Sequence, residues 1–267
     1  MTEPTSGQEP ATGTRLRSVP FRVALPNLVT LLALCAGLTA IRMAIEGRFD
    51  VAVTAIIFAA LLDAVDGRLA RLLKTTSQFG EQLDSLADFV NFGVAPAILL
   101  YVWRLQDLRA LGWIAAMILA VAAALRLARF NATLSVEEEP LWHKDFFVGM
   151  PSPVGAVTAL LPLSLWEIGV PIPHGAAIVV ALYTIFVGFL MVSRFPTLSG
   201  KRFGARIPRE TLPWVLVAGV LTVALLVSYL FVALAVAALA YLCHLPIAWK
   251  LWDKRIHAPL PHLPDEG

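Results

Sequence analysis

Charged residues are scarce in this sequence. Of its 267 residues only 15% are Asp, Glu, Lys or Arg, whereas 58% are hydrophobic. Soluble domains carry about 25% charged residues, so the composition excludes an ordinary soluble protein and indicates a chain whose solvent is lipid. The net charge of +2 is small and the basic residues are scattered between apolar runs, which excludes a nucleic-acid-binding face.

Cysteine is almost absent, and no signal-peptide core is found. Cys35 and Cys243 both lie in apolar runs far apart in the chain, so the sequence predicts neither a disulfide nor a zinc site. The first twenty residues are rich in Thr, Ser, Gly and Pro and contain no apolar run. This composition is typical of a disordered tail, over 1–22, and not of a cleaved signal.

Long apolar runs dominate what remains. A helix needs about 20 mostly apolar residues to cross a bilayer, and eight runs meet this length, with approximate limits of 26–45, 51–73, 81–103, 112–130, 150–168, 174–192, 212–228 and 230–250. We therefore predict an all-α, polytopic integral membrane helix bundle of about eight transmembrane helices. No run is left over for a soluble domain of any size.

The basic residues predict how the bundle is oriented. An even number of spans places both termini on one side, and short loops on the cytoplasmic side carry an excess of Lys and Arg. Of the 21 Lys and Arg residues, only Arg48, Arg104 and Arg109 fall on the side opposite the termini, and Arg42 lies within the first span. The pattern predicts cytoplasmic termini, with a basic cytoplasmic loop at 193–211 and a cytoplasmic tail at 253–267.

Four aspartates interrupt the apolar pattern of the second and third spans. Residues three or four apart share a helix face, so Asp63 and Asp66 project together near the end of the second span. Asp84 and Asp88 do so early in the third. The connection between the spans is short, which makes the helices antiparallel neighbours and brings both pairs to a similar depth on the cytoplasmic side.

Four carboxylates in a low-dielectric site repel one another and require a compensating cation. Aspartate oxygens suit hard ions such as Mg²⁺ or Mn²⁺, and a pair of such ions is the usual arrangement for in-line displacement at phosphorus. Gly67 and Gly80 lie beside the aspartates and leave room for a bound nucleotide. The alternative is a set of salt bridges to Arg68, Arg71 and Lys74, which would form only a polar helix terminus.

The same residues match a known pattern, DxxDGxxAR, eight residues, then GxxxDxxxD. It is complete in the residues Asp63, Asp66, Gly67, Ala70, Arg71, Gly80, Asp84 and Asp88. In this respect the chain resembles the CDP-alcohol phosphatidyltransferases. The resemblance implies a six-helix membrane core over 23–192, two additional C-terminal helices over 212–252, and a homodimer.

The resemblance also implies residue roles. Asp63, Asp66, Asp84 and Asp88 would bind two divalent cations, Mg²⁺ or Mn²⁺, and Asp88 would also be the general base that deprotonates the acceptor hydroxyl. The nucleotide of CDP-diacylglycerol would contact a second set of residues, which comprises Asn27, Thr30, Gly67, Ala70, Arg71 and Ser77. Pro26, Asn27 and Thr30 in "LPNLVT" resemble a Pro-Asn pair that opens the first core helix in the family. The alternative interpretation is a proline in the first helical turn with Asn27 as a cap.

The acceptor is indicated by three further stretches, "QLDSLADFVNFGVAPA", "ALRLARFN" and "FVGMPSPVGA", which resemble bacterial phosphatidylserine synthases within this family. They imply transfer of a phosphatidyl group to L-serine in the bacterial inner membrane. Serine carries a carboxylate, so Arg126 or Arg129 could bind it, although basic residues also flank cytoplasmic helix ends generally. Asn131 and Ser152 are further candidates for polar contacts in this pocket.

Two alternatives remain open at the level of the sequence. The same chemistry could use another acceptor, such as glycerol 3-phosphate, inositol phosphate or choline. A cation transporter could instead use the four carboxylates as a relay. A transporter predicts carboxylates near the midplane of several spans, whereas here all four lie on two spans towards one face.

Overall fold

Helices form almost the whole fold. The computed structural model describes residues 21–73, 75, 77–133, 146–148, 150–193, 196–198, 217, 221, 224 and 228–256. The α-helices are α1 (Phe21–Ile45), α2 (Phe49–Leu73), α3 (Gln78–Asp88), α4 (Ala95–Trp103), α5 (Ala110–Thr133), α6 (Ser152–Ala159), α7 (Leu161–Glu167), α8 (Ala177–Val192) and α9 (Leu230–Ile256). The prediction of an all-α membrane bundle is confirmed. The seventh predicted span, 212–228, lies outside the described residues apart from 217, 221, 224 and 228.

The α1 and α2 helices pack side by side as an antiparallel pair. Buried alanines line both of them, among them Ala40 and Ala44 on α1 and Ala52 on α2. Helices in lipid gain little from the hydrophobic effect on packing together, so small side chains that permit close approach stabilise the contact. Gly47 turns the chain between the helices with a φ of 75°, a conformation that glycine adopts without strain.

The third predicted span is continuous from Gln78 to Trp103 but contains a π-helical turn, Phe89–Val94, between α3 and α4. Asn91 in this turn is fully buried, and neither polar atom of its amide has a hydrogen-bond partner among the described residues. A Cβ atom added to Gly37 of α1 would lie 2.0 Å from Asn91 Oδ1, so the absence of a side chain at Gly37 lets the turn dock on α1. π-Helical turns are rare and frequently mark functional sites.

The fifth predicted span, 150–168, is two short helices and not one. The α6 and α7 helices are separated at Leu160, and Pro162 lies in the first turn of α7. Because proline has no N–H, Pro162 cannot donate to the carbonyl of Thr158 four residues earlier. That carbonyl accepts a hydrogen bond of 2.7 Å from the hydroxyl of Tyr183 on α8 instead.

The later elements enclose the bundle. The α8 helix packs against α5, and α9 packs against α6 and α7. Two three-residue strands, β1 (Phe146–Val148) and β2 (Pro196–Leu198), pair antiparallel with Phe147 opposite Thr197. This small ladder, which the sequence did not predict, joins the segment after α5 to the segment after α8. The predicted loop at 193–211 otherwise lies outside the described residues, as do the tail at 1–20 and residues 257–267.

The surface of the bundle is apolar, as lipid requires. Among the described residues, the stretches Ala24–Ile45, Gln78–Trp103 and Ala110–Ala132 are long and apolar enough to cross a membrane, and Ala177–Val192 and Leu230–Pro246 are shorter apolar helices. The α2 helix has 25 residues, but charged side chains interrupt its apolar sequence. Large side chains such as Ile45, Phe58 and Phe189 are exposed on the outside. The chain is a multi-pass integral membrane protein.

Candidate active site

The short connection between α2 and α3 determines the position of the aspartates. The α2 helix ends at Leu73, and Ser77 caps the N-terminus of α3 by accepting a hydrogen bond of 3.1 Å from the backbone N–H of Gly80. Asp63 and Asp66 therefore lie in the last turns of α2, and Asp84 and Asp88 in the second and third turns of α3. The spacing of these residues predicted this arrangement, and the structure brings both pairs together.

Three of the carboxylates form one group. Asp63, Asp66 and Asp84 each offer an oxygen, and these oxygens all lie within 4.8 Å of one another. The carboxyl group of Asp63 also approaches that of Asp88, which lies outside the group of three. Like charges at this separation repel strongly where water is excluded. A cation among its members would therefore stabilise the charged form of the group.

The residues fit a divalent metal ion. All the available donors are carboxylate oxygens, which Mg²⁺ and Mn²⁺ prefer. Asp84 Oδ1 is buried and has no hydrogen-bond partner among the described residues, so a ligand-binding atom is left available inside the cluster. The acidic cluster could thus hold a metal, in agreement with the sequence prediction.

Thr30 orients one of the carboxylates. Its side chain is 5% exposed, and its Oγ1 donates a hydrogen bond of 2.7 Å to Asp66 Oδ2. The backbone carbonyl of Pro26 lies 3.1 Å from the same hydroxyl. Pro26 is in the second turn of α1, which begins at Phe21, so the alternative of a proline in the first turn beside a capping Asn27 is wrong. The structure gives Thr30 a contact to a carboxylate, whereas the resemblance implied a contact to the nucleotide.

A cavity of about 140 Å³ opens beside the carboxylates. Asp66 and Asp84 line it, together with five of the residues predicted to bind the nucleotide, namely Asn27, Thr30, Gly67, Ala70 and Ser77. Its remaining lining residues are Pro26, Thr75, Gly80 and Glu81. Thr75 and Glu81 were not predicted from the sequence as lining residues. The sequence marks these two residues only by their position, since both lie within four residues of Ser77.

Two glycines shape this cavity in different ways. A Cβ atom on Gly80 would lie 2.9 Å from Asn27 Oδ1, so Gly80 allows α3 to approach α1. At Gly67 the corresponding position has nothing within 4 Å, and a side chain there would extend into open space beside the cavity. Arg71, the sixth predicted nucleotide contact, is exposed, and its Nε donates to the carbonyl of Gly67 at 3.0 Å. It does not line the cavity.

The two candidate acceptor arginines differ in their surroundings. Arg126 is only partly exposed, donates a hydrogen bond of 2.7 Å to Ser152 Oγ, and lies close enough to Asp88 for an electrostatic interaction. Arg129 is exposed, and its Nη1 donates to the carbonyl of Val192 at the end of α8. The structure therefore brings Arg126 towards Asp88, whereas Arg129 contacts the end of α8.

Polar side chains continue from Arg126 along the same side of the bundle. Ser152 is fully buried where it accepts the hydrogen bond from Arg126. Asn131 Nδ2 donates a hydrogen bond of 2.9 Å to the hydroxyl of Ser85, which lies on α3 between Asp84 and Asp88. Asn131 and Ser152 were predicted from the sequence as candidate polar contacts, whereas Ser85 was not. Its signal is its place in the segment "DSLAD", one residue after a predicted ligand.

A family model described as CDP-alcohol phosphatidyltransferase matches residues 23–192. The matched segment contains all four aspartates, the cavity and Arg126.

Curated relatives are similar over a longer stretch. The chain is 38% identical over 237 residues to the CDP-diacylglycerol–serine O-phosphatidyltransferase of Mycobacterium leprae. The aligned residues cover 87% of this chain and 76% of that protein. It is 37% identical over 249 residues to the protein of the same name from Mycobacterium tuberculosis, covering 86% of this chain and 83% of the relative. An archaetidylserine synthase of Methanothermobacter thermautotrophicus is 35% identical over 138 residues, or 51% of this chain and 55% of its own length.

Proposed function

The chain belongs to the CDP-alcohol phosphatidyltransferase family, and on that premise we propose that it transfers the phosphatidyl group of CDP-diacylglycerol to the hydroxyl of L-serine, giving phosphatidylserine and CMP. One observation carries the proposal above all others. Asp66 and Asp84, two members of the carboxylate group that could hold a metal, also line the cavity that contains the candidate nucleotide contacts. A metal-bound diphosphate and its nucleoside would thus be neighbours.

We assign the divalent ions to the aspartates. Asp63, Asp66 and Asp84 are the ligands, Asp88 completes the set, and the proposed cofactors are two divalent cations, Mg²⁺ or Mn²⁺. When bound, such ions neutralise the negative charge that develops on the diphosphate during displacement. Thr30 holds the Asp66 carboxylate through its hydrogen bond of 2.7 Å, which fixes the direction of the ligand oxygens.

Asp88 is the proposed general base. Its carboxyl group lies beside Asp63 and within the electrostatic reach of Arg126, between the carboxylate group and the polar side chains of α5 and α6. A serine hydroxyl at this position would give its proton to Asp88 while its oxygen forms a bond to the phosphorus that carries diacylglycerol. The bond from that phosphorus to the oxygen shared with CMP breaks, and CMP departs.

The nucleotide is proposed to occupy the cavity beside α1, α2 and α3. Asn27 and Ser77 offer polar groups at its wall, and Gly67 and Ala70 provide a flat surface on α2. Arg71 does not line the cavity, but it lies on α2 next to the lining residue Ala70. A change of its rotamer could bring the guanidinium to a diphosphate oxygen.

The acceptor is proposed to bind on the opposite side of Asp88. Arg126 is the proposed partner of the serine carboxylate, because its guanidinium bonds to Ser152 and lies within electrostatic reach of Asp88. Arg129, whose guanidinium bonds to the end of α8, is the weaker of the two candidates. An acceptor bound between Arg126 and Asp88 would have its carboxylate at the cation and its hydroxyl at the base.

The membrane context extends the proposal. The excess of Lys and Arg on one side of the predicted spans supports an enzyme of the bacterial inner membrane, with both termini and the active site facing the cytoplasm. The domain assignment is a catalytic membrane core at 23–192 followed by two C-terminal helices at 212–252. Membrane lipids and a second copy of the chain are the remaining proposed partners.

The test is acceptor-dependent release of CMP. Purified protein in detergent receives CDP-diacylglycerol and Mn²⁺ or Mg²⁺ with L-serine, glycerol 3-phosphate, inositol phosphate or choline, one at a time. The proposal expects CMP with L-serine and background release with the others. CMP release with a different alcohol alone would contradict the serine assignment and retain the chemistry. Metal flux into liposomes without CMP release would instead support a transporter.

A further inference from the structure

Two polar side chains of the nucleotide cavity, Thr75 and Glu81, have no role in the proposed chemistry. Both line the cavity together with Asp66 and Asp84. Thr75 lies two residues after the end of α2, and Glu81 is in the first turn of α3. Along the chain both residues are nearer than the two aspartates to the connection between these helices. The cavity thus has one end at the proposed metal site and another at Thr75 and Glu81.

Hydrogen bonds hold the backbone at both positions. The N–H of Thr75 donates to the carbonyl of Ala70 at 3.1 Å, and the N–H of Glu81 donates to the carbonyl of Ser77 at 3.0 Å. The Glu81 carbonyl accepts a hydrogen bond of 3.0 Å from Ser85 Oγ. Side chains on a fixed backbone are suited to recognition, because binding then orders little of the chain.

The Thr75 hydroxyl is available to a ligand. Three side-chain hydroxyls of the described residues line the cavity, and two of them are bonded, since Thr30 donates to Asp66 and Ser77 accepts from the N–H of Gly80. Thr75 Oγ1 is buried and has no hydrogen-bond partner among the described residues. Buried polar atoms are almost always paired, so we expect a group bound in the cavity to bond to this hydroxyl.

Glu81 restricts which part of a nucleotide can lie at this end of the cavity. Its carboxylate is not a member of the group of three aspartates that could hold a metal. A carboxylate repels a phosphate, but it accepts hydrogen bonds from an amino group. Cytosine carries an exocyclic amino group where uracil carries a carbonyl oxygen, and acidic side chains recognise that amino group on cytosine in nucleic acids.

We propose that Glu81 and Thr75 are specificity-determining residues that recognise the cytosine base of the substrate. Glu81 accepts a hydrogen bond from the exocyclic amino group, and Thr75 donates one to a ring nitrogen or carbonyl oxygen of the base. The inference rests on the proposed function, because it requires a cytidine diphosphate substrate in this cavity. A uracil base would place its carbonyl oxygen against the Glu81 carboxylate, and neither group can donate.

The experiment compares Glu81→Gln with the wild type on two substrates. The kcat/KM is measured in mixed micelles for CDP-diacylglycerol and for UDP-diacylglycerol, at saturating L-serine, by release of CMP or UMP. The wild type should prefer the cytidine substrate, and we expect the variant to reduce that preference about 5- to 100-fold, because the glutamine amide can donate to uracil. The two substrates share the diphosphate, so the lost charge at position 81 cancels in their ratio.

A matched control is Glu46→Gln. Glu46 pairs with Arg42 at 2.8 Å and does not line the cavity, so this variant should keep the wild-type ratio. Thr75→Val tests the second contact. It should raise the KM for CDP-diacylglycerol about 2- to 10-fold and leave the KM for L-serine unchanged. Its control is Thr54→Val, since Thr54 donates to the carbonyl of Asp50 on the exposed side of α2.

A third substrate, the 2′-deoxy form of CDP-diacylglycerol, distinguishes a base contact from a ribose contact. If Glu81→Gln changes the preference for the ribose 2′-hydroxyl and keeps the ratio of cytidine to uridine substrate, recognition of the base by Glu81 is overturned. A wild type that does not distinguish the two bases, or a wild-type KM for CDP-diacylglycerol in Thr75→Val, also contradicts the inference and leaves the proposed function standing.

A wild-type enzyme that releases no CMP from CDP-diacylglycerol with any acceptor overturns the proposed function and the inference together. CMP release with an alcohol other than serine changes the acceptor alone, and the base preference is then measured with that alcohol. If a variant yields less folded protein, the ratio still decides, because both substrates are compared on one preparation.

Discussion

Thr30 on α1 and Asp66 on α2 are joined by a hydrogen bond of 2.7 Å from the threonine hydroxyl to the carboxylate. Both side chains are buried, with 5% and 4% of their surfaces exposed. The bond therefore connects the first helix of the bundle directly to the proposed metal site. Residues that hold a ligand in this way commonly affect metal affinity almost as much as the ligands themselves.

Replacing Thr30 with Val keeps the shape of the side chain and removes the hydroxyl. We expect the metal concentration that gives half-maximal CMP release to rise about 10- to 100-fold, because the Asp66 carboxylate is no longer oriented. Titration of Mn²⁺ into demetallated enzyme measures this shift. Thr30→Ser should retain most of the affinity. Thr39→Val is the matched control, since Thr39 donates to the carbonyl of Cys35 on the exposed side of α1.

Replacing Asp88 with Asn separates catalysis from binding. We expect CMP release to fall by about 10²- to 10⁴-fold, because the amide cannot accept the proton of the acceptor hydroxyl. Binding of CDP-diacylglycerol, followed by isothermal titration in detergent, should be largely retained. Asp63→Asn should weaken metal binding as well, since Asp63 belongs to the group of three carboxylates. Equal loss of substrate binding in both variants would contradict the separate role of Asp88.

Replacing Gly67 with Ala tests the nucleotide cavity. The added methyl group meets nothing within 4 Å in the protein, and alanine favours a helix over glycine by about 1 kcal/mol. Thermal stability should therefore be unchanged or higher. In the occupied cavity the methyl group would overlap the nucleotide, and overpacking of about 1–3 kcal/mol would raise the KM for CDP-diacylglycerol ~5- to 100-fold.

The control for this variant is Gly175→Ala, which also introduces a methyl group into open space but at a residue that does not line the cavity. An unchanged KM in Gly67→Ala would show that the nucleotide does not lie against α2.

Replacing Gly37 with Ala tests the docking of the π-helical turn on α1. A Cβ atom at this position would lie 2.0 Å from Asn91 Oδ1 and 3.3 Å from its Cα atom, so the buried Asn91 side chain or the turn that carries it must shift. We expect a loss of about 1–3 kcal/mol of stability, seen as a lower midpoint of thermal inactivation in detergent. Gly188→Ala on α8 is the comparison variant, because its Cβ would make contacts of 3.4–3.5 Å. Similar midpoints for both variants would refute the tight contact.

Local patterns predicted the part of the site that depends on helix periodicity. The spacing of Asp63, Asp66, Asp84 and Asp88 was sufficient to predict that the two pairs of carboxylates lie close together. The short connection keeps α2 and α3 near each other, and both helices pack on α1. Of the six predicted nucleotide contacts, five line the cavity and one does not. Arg71 lies outside the cavity that the other five line, and no local pattern determines the rotamer of a long exposed side chain.

Features that depend on distant partners could not be predicted in this way. Arg126 and Arg129 are equivalent in the sequence, yet only Arg126 finds Ser152, a residue 26 positions away. The hydrogen bond from Asn131 to Ser85 spans 46 positions. The π-helical turn depends on Gly37 of another helix. Each of these follows from tertiary packing, which hydropathy and periodicity do not encode.

The hydroxyl of Tyr183 compensates for the N–H that Pro162 lacks, and this has an evolutionary consequence. If Tyr183 were replaced by Phe first, the Thr158 carbonyl would lose a buried partner, at a cost of about 1–3 kcal/mol. If Pro162 were replaced first by a residue with an N–H, that N–H could donate to the Thr158 carbonyl, and α6 and α7 could continue through Leu160 as one helix. The effect of a substitution at Tyr183 therefore depends on the residue at position 162. Substitution of Pro162 is expected to precede substitution of Tyr183.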